Sequence, residues 1–178
     1  MKKIHFGDDG FTLIAYGVKL PKEDLLLELL GGLDELNSFI GLVRSITRDR
    51  EINELLKSIQ DLIFRMGRDL AIPIDRLEKT LVSDKDIEFL EKKTEELWER
   101  IREPKNVFIY PSGSQSAALL HVARAVCRRV ERTASRLYHE RRIYKIYMIL
   151  LNRLSDLLFV AARYVNQIEG FEEEIWRL

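Results

Sequence analysis

Apolar side chains recur every three or four residues along most of the chain, which is the spacing of one face of an α-helix. The four prolines divide this pattern, because helices tend to end at or just before a proline. Five helices are therefore predicted, and the short connections between them favour antiparallel neighbours in an all-α, up-down five-helix bundle. Their approximate bounds are 21–47, 51–71, 83–102, from after the Pro-Ser-Gly-Ser turn to 139, and 143–169.

The ends of the helices carry local signals. Pro21 and the acids that follow it indicate a helix start, and Ser83 is a candidate N-cap. Gly170 indicates a helix end. Residues 1–20 contain three glycines and lack helical periodicity, so we expect a loop or short hairpin. The prediction is one domain over 1–178, with the bundle at 21–170 and a tail at 171–178.

Composition narrows the class of protein. Lysine plus arginine equals aspartate plus glutamate, which argues against a general binder of nucleic acid or membrane surfaces. The single cysteine, Cys127, allows no intrachain disulfide and fits a reducing compartment. The first residues lack the apolar stretch of a signal peptide, and no apolar run is long enough to span a bilayer. We expect a soluble, cytoplasmic protein.

The fourth predicted helix contains the sequence HVARAVCRRVERT at 121–133. Its Arg124, Arg128 and Arg132 are spaced four residues apart and share one face, although like charges at that spacing repel. A 100° rotation per residue places Glu131 on the same face and His121 beside it. The opposite side is apolar and is predicted to face the core; it comprises Val122, Ala123, Val126, Cys127, Val130, Thr133, Ala134 and Leu137.

Three interpretations of this arginine face remain open from the residues alone. The first is a solvated surface. The second is a phosphate or polyphosphate site, since the guanidinium presents a planar fork of donors to phosphate oxygens. The third is a nucleic-acid-binding surface, because residues 124–142 hold seven arginines against two glutamates. The lack of interleaved aromatic residues and the neutral total charge weigh against nucleic acid.

Other polar positions interrupt the apolar pattern. Asp34 lies in the glycine-rich stretch GGLDELNSFIG at 31–41 and is a candidate partner for an arginine on another helix or subunit. Asn152 interrupts the last helix; a buried asparagine must be hydrogen-bonded, so it is either a structural tie or a ligand contact. A di-iron centre is excluded because no histidine follows a glutamate by three residues, and one cysteine with three scattered histidines disfavours zinc.

Six stretches, in chain order, resemble the PduO-type ATP:cob(I)alamin adenosyltransferases. They span most of the chain, and the last two are long and specific. They are GDDGFT at 7–12, YGVKLPKED at 16–24, DELNSFIGL at 34–42, IQDLIFRMGRDLA at 59–71, FIYPSGSQSAALLHVARAVCRRVER at 108–132 and LNRLSDLLFVAARYVN at 151–166.

The resemblance implies a five-helix bundle that forms a homotrimer with active sites between adjacent subunits. The implied reaction moves the 5′-deoxyadenosyl group of ATP to the cobalt of cob(I)alamin and releases tripolyphosphate. Cobalt is the nucleophile, so no side-chain nucleophile is needed, and the protein holds the triphosphate with a divalent cation, commonly Mg²⁺. A reductase that supplies cob(I)alamin and an adenosylcobalamin-dependent enzyme that receives the product are implied as partners.

Roles follow from the same resemblance. Arg128 contacts the triphosphate, and Arg124 pairs with Asp34 across the subunit interface. Phe108 fills the lower face of the corrin ring and keeps the axial ligand of cobalt away. The remaining matched positions bind the nucleotide: Gly7, Asp8, Gly10 and Thr12 in the loop of segment 1–20, together with Lys22, Glu131, Arg132 and Asn152.

Four positions depart from the family pattern. Phe6 replaces a threonine of the nucleotide loop, and Lys19 and Leu26 replace arginines. The usual Pro-Gly-Gly turn has Ser112 in its second position. The change at Phe6 removes one expected phosphate contact, so we expect weaker ATP binding. Two rival functions follow: an ATP- or cobalamin-binding protein that delivers a cofactor, and an RNA-binding or structural bundle.

Overall fold

The protein is described by a computed structural model over residues 7–177. Five helices form a bundle, as predicted, and a two-stranded antiparallel hairpin precedes them. The hairpin consists of β1 (Phe11–Leu13) and β2 (Lys19–Pro21). The helices are α1 (Leu25–Ile46), α2 (Arg50–Leu70), α3 (Asp84–Arg100), α4 (Gln115–His139) and α5 (Lys145–Ile168).

The helix starts follow from side chains that accept hydrogen bonds from otherwise unpaired N–H groups. Asp24 caps α1 by accepting from the Leu26 N–H at 2.8 Å, and Ser83 forms the predicted cap of α3 as part of a capping box with Asp86. The prediction that Pro21 opens α1 is wrong. Pro21 ends β2, and the helix begins only after the Asp24 cap. Gly170 follows α5 with a φ of 75°, as expected of a helix stop.

The helices pack so that α4 lies between α1 and α5, while α2 flanks α1 and α3 flanks α5. Their apolar faces form one core, which confirms the bundle. Among residues 7–177, none of the helices has the length and apolarity needed to cross a bilayer. The division into a single domain with a separate tail stays a prediction, although the structure ties residues 174–176 to residues 108–110.

The contact between α1 and α4 depends on Gly32. A Cβ atom built on Gly32 would lie 2.7 Å from a methyl carbon of Val130, which is buried in α4. Valine has a stiff χ1 and cannot move aside cheaply. Gly31, the preceding residue, has no neighbouring atom within 4 Å of such a Cβ in the described part of the chain. Only the second glycine is therefore required for close packing.

The helical projection of α4 was wrong at two positions, His121 and Val122. The imidazole is 5% exposed, and it lies against the Phe159 ring of α5 with centroids 6.1 Å apart. Val122, predicted to face the core, is instead 40% exposed. Burial, together with the charges of Arg124 and Arg163, lowers the pKa of His121 to about 4. The imidazole is therefore neutral at neutral pH, and its side-chain nitrogens have no hydrogen-bond partner among residues 7–177.

Replacing Gly32 by alanine should destabilise the protein, because the added methyl group overpacks the contact with Val130 at a cost of about 1–3 kcal/mol. The matched variant Gly31→Ala should be neutral or up to about 1 kcal/mol more stable, because alanine favours the helix. Urea unfolding of the two variants measures the difference. Equal stabilities would show that the α1–α4 contact is not tight at Gly32.

His121 should make the protein less stable in acid. Its pKa in the folded state lies below the unfolded value, so the unfolded chain binds the extra proton between pH 6.5 and about 4. Stability is retained above pH 6.5 and falls as pH decreases through that window, by up to about 1.4 kcal/mol per pH unit. The variant His121→Gln should lose this component of the decline, as measured by urea unfolding at several pH values.

The control is His139→Gln, since His139 is exposed at the end of α4. This variant should keep the pH dependence of the wild type. The account of His121 would be contradicted by wild type and His121→Gln losing stability in parallel between pH 6.5 and 4.

Candidate active site

The arginine face of α4, defined as Arg124, Arg128 and Arg132, lies on the side of the helix away from the core. Arg128 and Arg132 are exposed, and Arg132 donates from Nη1 to the backbone oxygen of Arg128 at 3.0 Å. Within residues 7–177, no carboxylate oxygen lies within 4.0 Å of a guanidinium nitrogen of these three residues. The face is therefore a row of cations that form no ion pair with the described residues of the same chain.

The neighbouring arginines differ. Arg129 forms an ion pair with Glu35 of α1, and Arg142 pairs with Asp24 at 2.6 Å. The cluster of arginines between 124 and 142 is thus divided, since some members hold the helices together and the arginine face does not. A continuous basic surface of the kind that binds nucleic acid is interrupted by these ion pairs.

Arg124 is the partly buried member of the arginine face. Its guanidinium lies over the Phe159 ring, 5.2 Å from the centroid, which is a cation–π arrangement. Burial lowers the pKa of Arg124, and the positive charge of Arg128 lowers it further, against an opposing effect of Asp156. The charged form is therefore less favourable here than in water, and an additional anion beside Arg124 would stabilise it.

Glu131 and Asn152 come together on the same side of the bundle. Asn152 Nδ2 donates to Glu131 Oε1 at 2.9 Å, and Asn152 Oδ1 accepts from Arg153 Nη1 at 2.7 Å. Arg153 in turn donates from Nε to Glu91 of α3 at 2.6 Å. Asn152 is half-buried rather than buried, and both ends of its amide are engaged. These hydrogen bonds tie α4 to α5, and the role of Asn152 as a nucleotide contact stays a prediction.

The glycine loop, residues 7–12 before the bundle, lies beside Lys22, so that five of the predicted nucleotide positions come together. Gly7 and Gly10 have φ angles of 105° and 79°, a region that side chains with a Cβ rarely adopt. The Lys22 N–H donates to the Gly10 oxygen at 2.9 Å, and a Cβ built on Gly7 would lie 3.4 Å from Lys22 Nζ. Asp8 and Thr12 line the same open cleft of about 340 Å³. An ammonium group beside a turn of backbone N–H groups suits a phosphate.

Three of the four departures from the family pattern can be placed and one cannot. Leu26 is buried in the core of the bundle. Lys19 is engaged with Asp9 at 2.7 Å, so its charge is partly neutralised in this chain. Ser112 is accommodated because only the next position requires glycine: Gly113 has a φ of 108°, and its Cβ would lie 2.1 Å from Asn166 Oδ1. Asn166 accepts there from the Ser114 N–H at 2.9 Å. Phe6 lies outside the described residues.

Phe108 belongs to an exposed aromatic patch, which comprises Phe108, Ile109, Tyr110 and Trp176 around a cavity of about 580 Å³. The Phe108 ring is 78% exposed, contrary to the usual expectation that an aromatic residue packs in the core. Its edge-to-face neighbour is Trp176, at 6.1 Å between ring centroids. The patch joins two segments through hydrogen bonds from the Tyr110 N–H to the Glu174 oxygen at 2.9 Å and from the Trp176 N–H to the Phe108 oxygen at 2.8 Å.

Some predicted partners are not brought together within one chain. Asp34 is exposed on α1 and has no ion pair with Arg124 in the part of the chain that the structure describes. The cleft at the glycine loop and the cavity at the aromatic patch share no lining residue. One chain thus supplies the arginine face, the glycine loop and the aromatic patch, each open on one side.

Sequence reasoning missed Trp176, Glu173 and the role of Arg163. Glu173 and Trp176 lie in the segment predicted as a tail, where the only signal was an aromatic residue within an acidic stretch.

Cys127 is not a nucleophile candidate, because the thiol is buried and burial raises its pKa. The arginine face can therefore bind a polyanion and the aromatic patch a flat apolar ligand, without a nucleophile from Cys127.

Comparison with known proteins agrees with these features. The family described as cobalamin adenosyltransferase matches residues 3–165. The corrinoid adenosyltransferase of Bacillus subtilis (strain 168) is 38% identical over 168 residues, which cover 92% of this chain and 86% of that protein. The corrinoid adenosyltransferase of Mus musculus is 34% identical over 178 residues, covering 96% and 75%.

Solved structures give the same result. A variant PduO-type ATP:corrinoid adenosyltransferase from Lactobacillus reuteri, complexed with cobalamin and ATP, has a TM-score of 0.90 at 34% identity and covers 97% of both chains. A second variant from that organism, complexed with ATP, has a TM-score of 0.89 at 37% identity and covers 97% of this chain and 98% of that one. By sequence and by fold, the chain belongs to the cobalamin adenosyltransferase family.

Proposed function

We propose that this protein transfers the 5′-deoxyadenosyl group of ATP to the cobalt of cob(I)alamin. The cobalt electron pair forms the Co–C5′ bond while the C5′–O bond of ATP breaks, and its electrons leave with tripolyphosphate. Cobalt is formally oxidised from Co(I) to Co(III), and the product is adenosylcobalamin. The observation that carries the proposal is the arginine face of α4, whose members have no carboxylate partner among residues 7–177.

Arg128 stabilises the charge that develops on the leaving triphosphate. Its guanidinium is exposed at the centre of the arginine face, so it is free to offer two donors to phosphate oxygens. A fixed cation aimed at a developing negative charge lowers the barrier without reorganisation during the reaction. Arg132 and Glu131 lie one turn further along α4, and Asn152 beside Glu131 completes the nucleotide surface.

The glycine loop supports the other end of the nucleotide. Lys22 lies against Gly7, where its ammonium group can reach phosphate oxygens, and the positive φ of Gly10 forms the turn whose oxygen accepts from the Lys22 N–H. Asp8 and Thr12 provide polar contacts at the rim of the cleft.

A Mg²⁺ ion fits this site only as a companion of the triphosphate. No group of three or more Asp, Glu, His or Cys side chains that could hold a metal ion occurs within residues 7–177. Mg²⁺ is commonly bound by one or two carboxylates together with substrate phosphates and water. Glu131 is the carboxylate on the arginine face that could contribute, and the ion would neutralise phosphate charge.

The active site is proposed to form between adjacent subunits of a homotrimer. Asp34 is exposed on α1, and Arg124 has no ion pair within 4.0 Å among residues 7–177, although burial and Arg128 disfavour its charge. An Asp34 carboxylate from a second copy would satisfy both groups. This contact would also close the open side of the arginine face.

Phe108 is proposed to lie against the lower face of the corrin ring and to exclude the axial ligand of cobalt. An apolar side chain that is 78% exposed at a cavity of about 580 Å³ is suited to a large flat ligand. Removal of the lower ligand makes reduction of Co(II) to Co(I) easier. A cytoplasmic reductase would supply the electrons, and an adenosylcobalamin-dependent enzyme would receive the product.

The function is tested by mixing the full-length protein anaerobically with Mg-ATP and chemically reduced cob(I)alamin, and following the visible absorbance of adenosylcobalamin. Conversion should depend on both protein and ATP. Arg128→Ala should lower kcat/KM by about 10²–10³-fold, the typical loss when one preorganised charge donor is removed. Its fold should be unchanged, because Arg128 is exposed.

The matched control is Arg129→Ala, which removes the adjacent arginine and its ion pair with Glu35. An exposed ion pair contributes about 0–1 kcal/mol to stability, so this variant should keep nearly full activity. Absence of conversion by the wild type with ATP still bound would favour the delivery function over catalysis. Equal losses in the two variants would contradict the role of Arg128.

Asp34→Ala and Arg124→Ala should each lower activity, and the double variant should be no worse than the more severe single one. Either substitution alone removes the same ion pair, so the second substitution adds little further loss. The coupling free energy should therefore be at least about 1 kcal/mol. The double-mutant cycle is measured by kcat/KM, with molecular mass in solution as the readout of assembly.

Glu35→Ala combined with Arg124→Ala is the control cycle, because Glu35 is the next residue on α1 and pairs with Arg129 instead. These two changes should add independently. Additive losses for Asp34 and Arg124 would show that they are not partners in the assembled protein.

A further inference from the structure

Arg163 is a fully buried charge in the last third of α5, with 1% of its surface exposed. Its Nε donates to both carboxylate oxygens of Glu173 at 3.0 and 2.9 Å, and Nη2 donates to one of them at 2.5 Å. Nη2 also donates to the Pro104 backbone oxygen at 2.8 Å. The rings of Trp98 and Phe159 lie 5.5 and 5.9 Å from the guanidinium carbon.

This ion pair is buried at both ends, since the Glu173 side chain is only 3% exposed. Removing two charges from water is costly, and apolar residues of similar size often stabilise a fold as well or better. What a buried, multiply hydrogen-bonded pair provides is a fixed position for the segments that it joins. The relevant question is therefore which segments Arg163 joins.

Arg163 anchors both segments that form the aromatic patch. Glu173 directly precedes Glu174, whose backbone oxygen accepts from the Tyr110 N–H. Pro104, on the other side of the guanidinium, lies in the connection that leads to Phe108. One side chain thus holds the start of the segment that carries Phe108 and the start of the segment that covers it with Trp176.

The two segments of the patch are joined to each other by a short backbone pairing, and Asn166 holds the turn beyond the segment that carries Phe108 by donating to the Ser112 oxygen at 3.0 Å. Ile109 and Ile175 form an isolated bridge, and a pairing of two such short segments is marginal in water by itself. Phe108 is mostly exposed, so core packing does not fix its ring. Without the anchor, we expect these segments to separate and the Phe108 ring to lose its orientation.

We propose that Arg163 and Glu173 are positioning residues for the corrinoid: their ion pair presents Phe108 to the ring of the bound cobalamin. This inference rests on the proposed function, and in particular on the role proposed there for Phe108. The pair does not touch substrate. It acts through the backbone pairing of residues 108–110 with residues 174–176.

Glu173 is the better residue to change. Arg163 lies near the Phe159 ring, and so does Arg124, so an Arg163 variant could disturb the arginine face as well. Glu173 lies beyond the end of α5, outside the five helices, and its side chain hydrogen-bonds to Arg163. Its removal leaves Arg163 without its carboxylate, at a large cost in stability while the charge stays covered. Opening of the segment beyond α5 lets water reach Arg163, so we expect the loss to be local and the five helices to stay folded.

The test compares Glu173→Ala with Glu172→Ala in the full-length protein, because Glu172 is the preceding acid and is exposed. Glu173→Ala should raise the KM for cob(I)alamin by on the order of tenfold, and change the KM for ATP by less than about twofold, since only binding at the aromatic patch is weakened. Glu172→Ala should match the wild type in both constants.

Amide hydrogen exchange provides a readout independent of activity. The Tyr110 and Trp176 N–H groups form the two hydrogen bonds that join the segments. Both should exchange faster in Glu173→Ala, while amides within α4 and α5 keep the protection of the wild type. Unchanged exchange at Tyr110 and Trp176 would overturn the proposal, because the pair would then not hold the segments together.

A double-mutant cycle with Phe108→Ala shows whether the pair acts through Phe108. If it does, Glu173→Ala should have little further effect on the KM for cob(I)alamin once Phe108 is absent. Full additivity would contradict the proposal, as would an equal rise of both KM values in Glu173→Ala. A wild type that forms no adenosylcobalamin would remove the proposed function and this inference with it, whereas an active wild type with an unaffected Glu173→Ala variant would remove the inference alone.

Discussion

The structure depends on α4 serving two opposed purposes. One side of this helix packs in the core between α1 and α5, and the other holds three arginines at a spacing where like charges repel. Packing of the core side must contribute more to the free energy of unfolding than the repulsion between the arginines costs. This packing is close, as at the contact between Gly32 and Val130. Burial and the charge of Arg128 lower the pKa of Arg124, so its charged form is less favourable here than in water.

This constraint explains how a bundle without a nucleophile can serve as a transferase. The reacting electron pair belongs to cobalt and the leaving charge belongs to the triphosphate, so the protein contributes position and electrostatics. The arginine face offers positive charge, the glycine loop offers an ammonium and backbone N–H groups, and the aromatic patch offers an apolar surface. Neither the cleft nor the cavity is closed within one chain, which is the physical reason for proposing that a second subunit completes the site.

The sequence was sufficient for the helices and for much of the chemistry, and it failed where tertiary contacts decide. Helical periodicity located all five helices, because each buries a continuous apolar stripe. The projection of α4 misplaced His121 and Val122, since a single helix does not reveal that Phe159 of α5 covers the histidine side. Pro21 was assigned to a helix because the hairpin strands contain only three residues each, too few for a clear pattern.

The anchor at Arg163 could not be foreseen for a related reason. Arg163 and Glu173 are ten residues apart, with the end of a helix and Gly170 between them, and no spacing rule links such positions. The nucleotide roles of the glycine-loop residues and Asn152 came from resemblance, although Asn152 also interrupts the apolar pattern of the last helix. These roles stay predictions, and the contact proposed between Asp34 and a second copy cannot be deduced from one chain.

The most direct test of the central claim, that the arginine face holds the triphosphate, is an experimental structure of the protein with ATP and cobalamin bound. The account predicts triphosphate oxygens within hydrogen-bonding distance of Arg128, Asp34 of a neighbouring copy at Arg124, and the corrin ring over Phe108. A triphosphate bound away from α4, with Arg128 still facing solvent, would contradict it.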